Sequence, residues 1–188
     1  DVAEAIAKIW GEDTEKLIGA NENDKWTDAD LEKRFLEQKA EIVSLNLHAN
    51  HFLYGCPREE ENVNVQEIQS APATMSRTII YSLGCHSGLN VGPDDKYPID
   101  LPQVFMSKKV FSYMGNTGYG IGGYPIVLSE ELNRLYAENL KNGDDAATAL
   151  KKAKLKYLSA NLYKMVNEPK KVDWNHNKIY EEATLYGI

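Results

Sequence analysis

The chain has 188 residues, 21 basic against 28 acidic side chains, and a formal net charge of −7. Its hydrophobic share of 43% and charged share of 26% are those of a folded globular protein; they exclude wholesale disorder, a collagen-like repeat and a coiled coil. The acidic balance, with Lys and Arg never more than two in a row, argues against nucleic acid or an anionic membrane as partner, and no apolar stretch approaches the ~20 residues of a membrane span.

A chain of this length fits one domain, residues 1–188, and buries enough surface to fold without disulfides or a structural metal. Val2, Ile6, Ile9 and Trp10 fall at helical spacing. The sequence thus opens inside an amphipathic helix, on Asp1 and not Met, and reads as a fragment of a longer precursor. Thr27 is a good N-cap with Asp30 three residues on, which predicts a helix from about Asp28 to Lys39 with Leu31, Phe35 and Leu36 facing inward. Ile42–Leu47 is a β-prone run that stops at His48. A polar loop with Pro57, Glu59, Glu60, Glu61 and Pro72 follows.

Thr78–Leu83 predicts a second strand, ending at Gly84-Cys85, and residues 88–102 form a long loop. Val110–Met114 predicts a third strand, which runs into Gly115-Asn116-Thr117-Gly118-Tyr119-Gly120. Ser129 is the expected N-cap of a helix to about Asn142, closed by Gly143. Asp144 or Asp145 then caps a long helix with Ala146, Ala149, Leu150, Ala153, Tyr157 and Leu158 on one face. Ala183–Gly187 predicts a last strand. Long connections between near-continuous apolar strands suit a mostly parallel sheet inside an α/β sandwich.

Functional groups in such sheets gather at the carboxyl ends of the strands. Here those ends carry His48, Cys85 and the Gly115–Gly120 loop. Cys85 lies within Gly84-Cys85-His86-Ser87-Gly88, where small neighbours let a thiol protrude and backbone N–H groups face a developing oxyanion. A free thiol needs a base or a positive neighbour to become a thiolate at neutral pH, and His48 is the natural candidate. Cys56, in Tyr54-Gly55-Cys56-Pro57, reads as structural; one Cys56–Cys85 bridge and two free thiols fit the composition equally well. Asp94, Asp95 and Asp100 read as ordinary loop acids, and Lys108-Lys109 and Lys170-Lys171 as solvated surface.

Three other chemistries draw on the same residues. His48, His51, Cys85 and His86 contain zinc-ligand types, but Cys85 and His86 are adjacent, unlike the paired spacings of structural zinc sites. A Cys-type α/β-hydrolase needs glycines two positions either side of the nucleophile, where Leu83 and Ser87 stand. A P-loop needs a Lys-Ser/Thr pair after its glycines, and none follows Gly120. The glycine loop reads instead as a close-packed loop or pocket wall.

With these residues in place the chain resembles the caspase-like (caspase–hemoglobinase fold) cysteine peptidases, in which a His and a Cys end adjacent strands in that order. The spacing of 85 − 48 = 37 is similar to that of the gingipain-like branch. Ser44–His51, Asp100–Phe105, Met114–Gly120 and Leu185–Gly187 look like blocks of that branch, so the resemblance spans roughly residues 30–188. It implies a three-layer α/β sandwich around a mostly parallel sheet, lacking its first strands in this chain. It implies Cys85 as nucleophile and His48 as general base and acid. The oxyanion donors would be the N–H groups of Cys85 and Ala49, the latter where the family usually has Gly. It further implies a polypeptide substrate, no metal or other cofactor, an extracellular or cell-surface location, and the missing N-terminal segment of the precursor as a partner. The alternative is a caspase-like module that binds or scaffolds without cleaving, which Ala49 motivates.

Overall fold

The structure is a computed structural model and describes residues 2–17, 26–37, 40–56, 61–71, 75–123, 125–167 (side chains of 163–165 excepted) and 175–187. Lys39, Pro57, Glu59, Glu60, Pro72, Lys170 and Lys171 lie outside the described residues.

A four-stranded sheet forms the centre, in the order β1 (Ile42–Leu45), β4 (Ile79–Ser82), β5 (Ser112–Asn116), β6 (Ala183–Gly187). The first three are parallel and β6 runs antiparallel to β5, so the sheet is mixed and mostly parallel. Parallel neighbours need crossovers. The β1-to-β4 crossover carries a small antiparallel hairpin, β2 (Leu53–Gly55) with β3 (Asn62–Asn64), and then α3 (Val65–Ser70). The β4-to-β5 crossover carries α4 (Leu101–Ser107).

Alternating side chains of the central strands feed two cores. Ile80 and Tyr113 join the core built with α2 (Asp28–Glu32), α3 and α4. Tyr81 and Met114 join the other, with α1 (Val2–Trp10), α5 (Leu128–Lys141), α6 (Ala146–Asn167) and α7 (Asn175–Glu182). Helices therefore cover both faces of the sheet, which is why β4 and β5 read as continuous apolar runs. Each large side chain buried this way stabilises the fold by about 1.5–3 kcal/mol.

Helix ends follow the local chemistry, with one exception. Thr27 and Asp30 form the expected capping box, the Thr27 side chain accepting from the Asp30 N–H and the Asp30 carboxylate from the Thr27 N–H. The helix widens after Glu32 into a π-helical turn, Lys33–Glu37, in which Phe35 and Leu36 are buried. Asp145 caps α6 through Thr148, and Gly143, with φ +92°, ends α5. Ser129 is not the N-cap of α5: Val127 holds that position, and Ser129 is buried in the first turn, its Oγ accepting the Ile121 N–H at 3.0 Å. The hydroxyl is used to anchor the loop before the helix.

Three strands differ in extent from the expectation; β4 spans Ile79–Ser82 and not Thr78–Leu83. β1 stops at Leu45 and not Leu47. β5 begins at Ser112, because Lys109, at φ +59°, turns the chain after α4 and the ladder cannot start before that turn is complete. Sequence reading missed the β2–β3 hairpin, whose strands have three residues each and only Tyr54 and Val63 fully buried. Such short strands give no periodicity to detect.

Candidate active site

β1 and β4 pair with Leu45 opposite Ser82. His48 lies three residues past Leu45 and Cys85 three past Ser82, so the two stand at matching positions beyond the carboxyl edge. The backbones meet just there. A side chain on Gly84 would collide with the Ala49 Cβ and lie 3.1 Å from the Leu47 carbonyl oxygen, so the residue before Cys85 must be Gly for the two ends to close.

His48 is exposed, while its main chain is fixed: its carbonyl accepts the Gly55 N–H at 2.9 Å, and Ala49 bridges to Tyr54. Among the described residues the N–H groups of Ala49 and Cys85 donate to no backbone acceptor.

The turn that carries Cys85 is held from several sides. Gly84 N–H donates to Ser82 Oγ at 3.0 Å, and Asn116 Nδ2 to the Leu83 carbonyl at 2.9 Å. Ser87 Oγ donates to the Gly84 carbonyl at 2.8 Å. Below it the Tyr113 hydroxyl donates to the Ser87 carbonyl at 2.6 Å and receives the Tyr54 hydroxyl at 2.8 Å, while Tyr186 reaches the Gly88 carbonyl at 2.7 Å. Burial pushes the Tyr54 hydroxyl up to about 12, so this tyrosine scaffold stays neutral. Asp100, fully buried, caps α4 through the Gln103 N–H at 2.8 Å and ties down the loop after Cys85 through Val91 N–H and Asn90 Nδ2. Its role is architectural.

Cys85 Sγ is half-buried and lies 3.7 Å from the Gly120 carbonyl oxygen. The glycine loop is a close-packed wall, as expected: Gly120 presses on the Leu83 carbonyl, and Gly115 and Gly88 touch backbone to backbone. Both cysteines are free. Burial, then Asp28, Glu61, Glu67 and Asp30, push the Cys56 thiol up to about 12, which suits a structural residue.

One group around Cys85 was not assigned a role from sequence. The His86 ring lies with its centroid 5.1 Å from that of His51 and 4.6 Å from that of Tyr119. It thus joins the histidine block, the cysteine turn and the glycine loop. Glu182, at the end of α7, reaches the same place from a distant part of the chain. His51 and His86 are visible in sequence beside the motif residues; Glu182 carries no local signal.

Among the described residues no group of three His, Cys, Asp or Glu side chains could hold a metal ion, so the zinc alternative has no ligand set there. No helix among them is long and apolar enough to cross a membrane. The sequence matches no protein-family model and no curated protein.

Proposed function

We propose that the chain is a cysteine endopeptidase with a caspase-like three-layer sandwich. Cys85 attacks the carbonyl carbon of a peptide bond, and His48 takes the thiol proton and returns it to the leaving amine. Water then hydrolyses the thioester acyl-enzyme, with His48 again as base. The Cys85 and Ala49 N–H groups hold the oxyanion. The observation that carries this reading is the matched position of His48 and Cys85 past Leu45 and Ser82, with Gly84 packed on Ala49 between them. That arrangement joins thiol, imidazole and two undonated N–H groups at one edge of the sheet.

The test is a thiol-directed peptidyl probe on the intact protein, read by mass spectrometry. Labelling of Cys85, lost in Cys85→Ala, is expected; labelling that persists in Cys85→Ala sinks the assignment.

A second reading, a caspase-like module that binds without cleaving, is favoured by the exposed His48 side chain and by the Cys85 Sγ contact with Gly120. It is distinguished by peptide binding with no probe labelling of Cys85.

A further inference from the structure

His86 follows the candidate nucleophile and adopts φ +55°, a left-handed conformation uncommon outside glycine, though His and Asn tolerate it best. Its surroundings are specific. The His86 N–H donates to the Gly118 carbonyl at 2.6 Å, and its Nδ1 lies 3.2 Å from the Thr117 carbonyl oxygen. A carbonyl can only accept, so Nδ1 carries the proton and the ring's orientation and tautomer are fixed. Residues 117 and 118 are held in turn by Glu182. Its carbonyl accepts the Thr117 N–H at 2.9 Å and the Thr117 hydroxyl at 3.2 Å, and its carboxylate fills the space a Gly118 side chain would need.

The Glu182 side chain is only 15% exposed. Oε1 lies 3.6 Å from Lys178 Nζ, and Oε2 is buried without a hydrogen-bond partner. Burial raises the Glu182 carboxyl, while Lys178 and His86 oppose that rise. His51 Nδ1, in the ring whose centroid lies 5.1 Å from that of His86, is also buried and unpartnered. A carboxylate retained with an unused oxygen is costly for the fold alone. The Glu182 backbone carbonyl and its carboxylate both hold residues 117 and 118, whose carbonyls receive His86, the residue after Cys85.

We propose that Glu182 is a positioning residue of the Cys85 site, acting through His86: it holds residues 117 and 118, on which that ring rests, and its carboxylate favours positive charge on the ring, one residue from the nucleophile. This rests on the peptidase reading, with Cys85 as nucleophile and His48 as the proton carrier. An imidazolium so close favours the thiolate over the thiol. His86 moves no proton in the reaction; it sets the electrostatics and the turn on which the Cys85 N–H is presented.

The test is the rate of Cys85 alkylation by iodoacetamide at pH 7, which forms one S–C bond, releases iodide and requires no known peptide substrate. The site is identified by mass spectrometry against Cys85→Ala. Glu182→Gln removes the charge and keeps the shape. His86→Asn removes the ring and tolerates positive φ. Each is expected to lower the rate about five- to tenfold, and the double variant no further than either alone. Glu182→Asp, which keeps the charge, is expected to react within about twofold of the wild type. Wild-type rates in both single variants, additive losses, or a Glu182→Asp protein as slow as Glu182→Gln overturn the proposal and leave the peptidase reading standing. A wild-type Cys85 no more reactive than free cysteine removes that reading and this inference together. If Glu182→Gln unfolds on heating well below the wild type, Glu182→Asp and His86→Asn decide by the same criteria.

Discussion

Cys56 follows β2 inside a short hairpin, half-buried against the core and near Asp28, Asp30, Glu61 and Glu67. Cys85 stands on a braced turn past the end of a central strand, beside two histidine-bearing segments and a wall of glycines. Both are free thiols on the same sheet-based scaffold. The difference is electrostatic and topological. Burial and negative charge hold the first as a thiol, a small hydrophobe in effect. The second is placed where neighbouring strand ends converge, so that backbone N–H groups and imidazoles are within one turn of it. A cysteine's chemistry is decided less by its exposure, which is intermediate for both, than by which elements end beside it.

The contrast is tested hardest at His48. His48→Ala is expected to lower turnover of a cleaved peptide by about 10²–10⁴-fold while the melting temperature stays within a few degrees, since His48 is exposed. Cys56→Ser is expected to leave turnover within about twofold. Equal losses in the two variants would erase the distinction.

Thiol reactivity against pH separates the two residues next. A free thiol ionises near about 8.5, so at pH 9 it is mostly thiolate. With its value pushed up to about 12, Cys56 remains protonated there, and its alkylation is expected to be at least about tenfold slower than that of free cysteine. The folded state prefers the neutral thiol, so this preference costs stability as pH rises from the free-thiol value toward 12. Rapid alkylation of Cys56 at pH 9 in the folded protein would contradict its structural role.

Gly84→Val tests the closure that brings the two strand ends together. The added side chain meets Ala49 and the Leu47 carbonyl, so urea denaturation should show a loss of about 1–3 kcal/mol. An unchanged midpoint would mean that the backbones need not approach so closely. The smallest effect is expected for Asp100→Ala, which removes the α4 cap and the tie to Val91 and Asn90. A loss of about 1 kcal/mol is expected, measured by the same titration, with Cys85 alkylation altered less than twofold.

Much of the fold was legible because its signals are local. The capping box at Thr27 and Asp30, the glycine stop at Gly143 and the apolar runs of β4 and β5 each act within a few residues. The same holds for the candidate pair, since His48 and Cys85 each follow a recognisable strand. What escaped reading includes α3, α4 and α7, although α3 has an Asn64–Glu67 capping box and α4 an Asp100 cap, as well as elements without length or locality. β2 and β3 are too short for a period to show. Ser129 has the residue type of a cap but serves the preceding loop, a choice made by where Ile121 passes.

By itself the sequence determined the main strands β1, β4, β5 and β6, the helices α1, α2, α5 and α6, and that His48 and Cys85 follow two of those strands. Only the tertiary structure decided that β1 and β4 are neighbours in a register placing those two residues side by side. It also decided that Glu182, 96 residues after His86, closes on the same turn. Local propensity depends on contacts a few residues apart, whereas register and convergence depend on which apolar faces find each other across the sheet.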